Sequence, residues 1–234
     1  MPNHLGGLAA ARQALAATTL GLALAVPAHA GANPGTTLID FNAASLTGLY
    51  LPGDSMTAGG YQLTTRVDFG IVDVAAALGL QAPSGNASQF YFASNDGQLE
   101  ITRGDNIPFQ LNSFSAAFVP QDPPSAQMTG IVAIGQLSGG GTSTYWWAFP
   151  PGAAGINLFS SYALPADFTN LVSLTFRACA VVGGIDCSVP TLNNGQFAID
   201  DIVLTPVPEP APAALLTLGA ALLALRLRRA RTAA

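Results

Sequence analysis

Four groups of side chains in this sequence are of types that could do chemistry. They are the adjacent carboxylates Asp200 and Asp201, the acids Asp96, Glu100 and Asp105, the aromatic run Tyr145-Trp146-Trp147, and the cysteines Cys179 and Cys187. The Asp pair interrupts "QFAIDDIVL", where Phe197 and Ile199 have one parity and Ile202 and Leu204 the other. Side chains alternate faces along a strand, so either the strand bulges at the pair or one carboxylate turns inward. An inward carboxylate needs a cation or several donors. Three readings stay open: Arg177 on a neighbouring strand, a structural calcium ion bound by Asp40, Asp200 and Asp201, or an Asp pair that caps backbone amides. Asp96, Glu100 and Asp105 would serve glycoside hydrolysis if two carboxyl groups stood about 5–10 Å apart across a cleft. As loop acids of an acidic domain they are simply solvated. "TYWWAF" puts Tyr145 and Trp147 on one face and Trp146 on the other. The Tyr145/Trp147 pair can stack on sugar rings or close the edge of a core. Asn86-Ala87-Ser88 fits a glycosylation sequon.

The residues that are missing narrow the chemistry further. The chain has no lysine, and its two histidines, His4 and His29, both fall in the first thirty residues. Beyond that stretch there is no imidazole for a Ser-His-Asp or Cys-His centre, or for a His-ligated zinc or copper. A lysine Schiff base is excluded too. Between residues 31 and 205 twelve carboxylates stand against three arginines, Arg66, Arg103 and Arg177. That balance offers no basic patch for phosphates, so nucleic acid is not an expected partner. No catalytic residue is assigned, and the expectation is a non-enzyme.

Both ends read as processing segments. Arg12, an apolar run from Ala14 to Val26 and the small-x-small pattern Ala28-His29-Ala30 make residues 1–30 a secretory signal peptide. Export supplies oxidising conditions, and an even cysteine count then predicts a Cys179–Cys187 disulfide around "CAVVGGIDC". Such a loop is worth about 2–3 kcal/mol. The spacing does not suit a CxxC redox centre.

The body, 31–205, is strand-like almost throughout. "TTLIDF", "GGYQLTTRVDFGIV", "SQFYFAS", "QLEITRG", "FQLNSFSAAFV", "MTGIVAIGQL", "STYWWAF", "LVSLTFRAC" and "QFAIDDIVL" are rich in β-branched and aromatic residues between Gly, Pro, Asn and Asp turns. "NDG" and "SGGGT" are hairpin signals. A break is expected near Asn112–Ser113, and Val172, Leu174, Phe176 and Ala178 share one face, with Ser173, Thr175 and Arg177 on the other. Val72 to Leu80 is the one short helix candidate. Eight or nine strands with period-2 patterning predict an all-β antiparallel sandwich, a jelly roll, in one domain.

The tail, 206–234, has three parts: the motif Val207-Pro208-Glu209-Pro210, an apolar helix over 211–225, and a basic stop of Arg226, Arg228, Arg229 and Arg231. Its apolar core, thirteen residues from Ala213 to Leu225, spans about 20 Å as a helix against roughly 30 Å of hydrocarbon. The arginines would hold the C-terminus in the cytoplasm and leave the body outside.

This arrangement resembles the PEP-CTERM sorting signal of Gram-negative bacteria. That resemblance implies recognition by an exosortase, a membrane transpeptidase, with transient residence in the inner membrane and then delivery to the cell surface or matrix. "QFAIDDIVL" and "LEITRGDNIPFQLNSFSAAF" are similar to segments of such proteins, whose bodies look like galactose-binding-type jelly rolls. The likeness covers roughly 90 to 204 and implies an exopolysaccharide or biofilm setting. The expected role is structural or adhesive, with a carbohydrate-binding module as the alternative and a carboxylate-based glycosidase behind it.

Overall fold

The computed structural model describes residues 35–78, 83–119, 129–150, 158–165, 168–182, 186–188 and 195–207, together with 219, 220, 222 and 223. Two units divide the chain, Met1–Ala30 and Gly31–Ala234, and every described residue belongs to the second. The expected signal peptide, Pro208-Glu209-Pro210 and Arg226 to Arg231 lie outside the described residues. Gly219, Ala220, Leu222 and Leu223 are helical and exposed. Among the described residues no helix is long and apolar enough to cross a membrane.

The described residues form fourteen strands: β1 (Thr37–Ile39), β2 (Gly48–Tyr50), β3 (Ser55–Ala58), β4 (Tyr61–Arg66), β5 (Gly70–Asp73), β6 (Phe90–Ala93), β7 (Gln98–Arg103), β8 (Phe109–Phe118), β9 (Thr129–Leu137), β10 (Thr142–Ala148), β11 (Ser160–Ala163), β12 (Leu171–Val182), β13 (Asp186–Ser188) and β14 (Phe197–Pro206). All pairings between them are antiparallel. They stack as a sandwich. The first layer runs β2-β5-β6-β14-β8-β11, with β1 beside β14 beyond the end of β6. The second runs β3-β4-β7-β12-β9-β10, with β13 beside β12 beyond the end of β7. One bridge, Leu171 to Phe109, links the ladders of the two layers.

Alternation builds the core between them. Leu99 and Ile101 of β7 and Leu174, Phe176 and Ala178 of β12 point inward, while Glu100, Thr175 and Arg177 point out. From the first layer, the Phe114 ring lies 4.9 Å from Phe176, and Phe109 meets Tyr61 edge-on at 5.4 Å. Each such buried ring contributes roughly 1.5–3 kcal/mol. A smaller cluster of Phe90, Phe92, Val119 and Ala198 covers the opposite side of the first layer.

Several local expectations change. "NDG" does not close a hairpin, because β6 pairs with β5 and β14 whereas β7 pairs with β4 and β12. The turn carries the chain from one layer to the other. All four residues of β6 are buried, so this strand needs a neighbour on each edge and cover on each face. "YQLTTRVDFGIV" likewise splits at Val67 and Asp68 into β4 and β5, which lie in different layers. Val172 is 42% exposed, because a bulge between Leu171 and Ser173 gives the inward place to Leu171. The helix expected over 72–80 is a single turn, Ala75–Leu78. The break at Asn112–Ser113 is a register shift within an unbroken β8: Val203 opposes Ser113 and Leu204 opposes Leu111. The "SGGGT" hairpin joins β9 to β10 as expected.

Candidate functional site

The Asp pair does both things the sequence allowed. The β14–β8 register slips between Asp200 and Val203, and Asp201 adopts a left-handed φ of 50°. The extra residue restores parity, so Phe197, Ile199, Ile202 and Leu204 all reach the core. Asp201 is exposed, whereas Asp200 is fully buried. Asp200 Oδ2 accepts from Asn86 Nδ2 at 2.6 Å and from Ser88 Oγ at 2.9 Å, and Oδ1 accepts the Asp201 amide at 2.8 Å. The Ser88 hydroxyl also bonds Asn86 Oδ1. Burial, the largest influence, pushes the Asp200 carboxyl up to about 6, although its three hydrogen bonds pull the other way. Asp200 is therefore a buried staple between β14 and the segment before β6.

Arg177 is not its partner, since β12 belongs to the other layer and β14 never pairs with it. Asp40 accepts the Asn42 amide at 3.2 Å. Among the described residues no three His, Cys, Asp or Glu side chains gather where they could hold a metal ion, and that includes Asp40, Asp200 and Asp201. Asn86 Nδ2, the atom a glycan would occupy, is committed to Asp200. Asn86 and Ser88 had no signal in the sequence as partners of residues more than a hundred positions away.

The dispersed acids are each engaged separately. Glu100 takes two bonds from Arg66, at 2.9 and 2.6 Å. Asp105 receives Arg103 Nε at 2.8 Å and the Ile107 amide at 3.1 Å, and the guanidinium holds its carboxyl down at about 2. Asp96 accepts the Gly195 amide at 2.9 Å. Asp96 and Asp105 flank opposite ends of β7, and Glu100 lies on its outward side.

The aromatic run occupies β10, at the edge of the second layer, and β11 is the corresponding edge of the first. Trp147 is half-buried between the layers, with ring centres 5.0 Å from Phe114 and 5.8 Å from Tyr162 of β11. Tyr145 continues this stack outward, 4.7 Å from Trp147 and 43% exposed. One aromatic wall thus closes the core at its inner end and reaches solvent at Tyr145. Trp146 lies on the opposite face of the strand.

Cys179 and Cys187 form the expected disulfide, with Cα atoms 5.3 Å apart. It ties β13 to the C-terminal part of β12.

No protein-family profile matches the chain, and no curated protein matches it. Several solved structures do. One is the TmCBM61 structure with β-1,4-galactotriose, at 9% identity and a TM-score of 0.34, covering 64% of this chain and 90% of that one. A second is the C-terminal family 22 carbohydrate-binding module of Clostridium thermocellum Xyn10B, at 13% identity and 0.35, covering 75% and 96%. A third is the family 11 carbohydrate-binding module of Clostridium thermocellum with a β-1,3-1,4-mixed-linked tetrasaccharide, at 12% and 0.30, covering 75% and 98%. At these scores the likenesses carry no statement about what this chain binds.

Proposed function

We propose that this chain is an exported, non-catalytic module, a jelly roll of the galactose-binding type, that binds polysaccharide at its β10–β11 edge and so acts as an adhesive element of an extracellular matrix. One observation carries the reading: the Tyr145 ring is 43% exposed at the end of an aromatic wall and is backed by Trp147 at 4.7 Å. A ring fixed by a second ring presents an apolar face already ordered for stacking on a sugar, with little entropy left to lose. The separate engagement of Asp96, Glu100 and Asp105 supports a binder over a glycosidase. Glycan-array screening followed by calorimetry tests the reading. Tyr145→Ala should weaken binding of the selected glycan about tenfold, or ~1.4 kcal/mol, and the bound sugar should change Trp147 fluorescence. Unchanged affinity in Tyr145→Ala removes the site.

The sorting reading rests on the sequence of 207–234. Prolines keep Pro208-Glu209-Pro210 free of helix, and the arginines orient the apolar run. An exosortase-type transpeptidase is then the processing partner. Alanines in place of Pro208-Glu209-Pro210 should leave full-length protein in the inner membrane, and equal release of the variant refutes it.

A further inference from the structure

We infer that the outward face of the second layer is a separate binding site for a saccharide that carries a carboxylate, held by Arg177 and Trp146. The strand register makes the case. Arg66 opposes Gln98, Gln98 opposes Arg177, Arg177 opposes Val132, and Val132 opposes Trp146. Directly paired residues point to the same face of an antiparallel sheet. Five side chains therefore form one row across β4, β7, β12, β9 and β10. Adjacent strands are about 4.8 Å apart, so Arg177 and Trp146 stand roughly 10 Å from each other, at their Cα atoms, with Val132, only 3% exposed, buried as the floor between them.

Among the described residues the charges on this face do not balance. The one carboxylate in the next row, Glu100, is taken by Arg66. Arg103 is taken by Asp105. Arg177, the last arginine of the described residues, has no described acid paired with it, and its Nε is buried without a hydrogen-bond partner. Burial also depresses its pKa. A buried donor left unpaired costs about 1–3 kcal/mol. A carboxylate would remove that cost, because its two oxygens match the guanidinium fork.

The surroundings choose among anions. Gln98 on one side and Thr175 two residues along β12 offer neutral hydrogen-bonding groups suited to sugar hydroxyls. Trp146 supplies an apolar ring at the end of the row. The body's twelve carboxylates against three arginines oppose a long polyanion, so the fitting ligand is a short sugar-acid oligomer with one carboxylate seated on Arg177. This site is distinct from the Tyr145 edge, because Tyr145 and Trp146 project from opposite faces of β10.

Calorimetry on the full chain tests the inference, with trigalacturonate and its carboxyl-reduced counterpart as probes. Trigalacturonate should bind at least tenfold more tightly than the reduced sugar, and more weakly as sodium chloride is added. Arg177→Gln should lose that tenfold preference. Trp146→Ala should weaken both sugars, and Tyr145→Ala should leave the preference for the acid over the reduced sugar in place. If Arg177→Gln does not fold, Arg177→Lys replaces it; that variant keeps the charge, loses the fork and should bind several-fold more weakly. The inference is overturned if the wild type binds both sugars equally or neither, or if the Arg177 variant matches it. It is also overturned if Tyr145→Ala alone abolishes acid binding, or if inorganic sulfate competes as well as the sugar.

Discussion

Replacing Asp200 with asparagine should change how stability depends on pH more than it changes stability itself. Asp200 is fully buried, and its carboxyl is pushed up to about 6 from an ordinary 3.8. The native state therefore binds this proton more tightly than the unfolded chain does. Between about pH 4 and pH 6 the folded form carries more protons, so stability falls as pH rises. The contribution is fully present below pH 4 and is lost above 6. Two pK units correspond to about 3 kcal/mol. The hydrogen bonds show why the neutral form fits. Ser88 has one hydroxyl proton and two acceptors in reach, Asp200 Oδ2 and Asn86 Oδ1. A protonated Asp200 can donate to Ser88 Oγ, which frees the serine proton for Asn86. Asp200→Asn removes the charge, but its amide cannot accept from both sides: one edge meets the Asp201 N–H donor-to-donor. That conflict costs about 1–2 kcal/mol. Urea unfolding from pH 3.5 to 7.5 measures both proteins. At pH 4 the wild type should be the more stable by about 1–2 kcal/mol, and across the window this difference should move by about 3 kcal/mol in favour of the variant. The Asp105–Arg103 pair has its effect below pH 4, where a carboxyl held at about 2 loses its stabilising charge, and so lies outside the window. A difference that stays flat, or moves the other way, refutes the reasoning.

Three further outcomes are expected. Cys179→Ser with Cys187→Ser should lower stability by about 2–3 kcal/mol, read as a fall in Tm, because the unfolded chain regains the freedom of an eight-residue separation. Gly70→Ala should cost about 1–3 kcal/mol in chemical denaturation, since a Cβ there would sit 2.2 Å from the hydroxyl oxygen of the buried Tyr91, which is hydrogen-bonded to Thr65 at 3.1 Å. Val67→Asn should raise stability by about 1 kcal/mol: Val67 holds a φ of 69° that suits asparagine better than a β-branched residue, and at 64% exposure it gives up little packing.

Strand existence was legible wherever one face is buried and the other is not. β12 and both halves of β14 alternate, and the faces read from them are those observed, Val172 apart. Pairing was less legible, because alternation is local and says nothing about the partner. β6 is buried on both faces and so carries no phase, which is why "NDG" read as a hairpin when it crosses between layers. β2, β3, β11 and β13 have three or four residues each, too few for a period to register. At the Asp pair, parity pointed to a bulge or an inward carboxylate, and the structure has both. Parity could not reveal Asn86 or Ser88, because the topology that brings them to Asp200 depends on every strand between.

The two proposed sites depend on the same property of a single strand. Consecutive residues of β10 face opposite ways, so Tyr145 belongs to the aromatic wall and Trp146 to the row with Arg177. A slip of one residue against β9 would exchange the two faces and destroy both arrangements at once. The turn at 138–141 opposes this slip. Gly140 and Gly141 have φ values of 86° and 90°, a conformation that L side chains rarely adopt, and the Gly140 amide closes the turn on the Leu137 carbonyl at 2.9 Å. The glycines of "SGGGT" thus fix a register whose consequences appear four and five residues later, where one aromatic ring closes the core edge and its neighbour is left facing out.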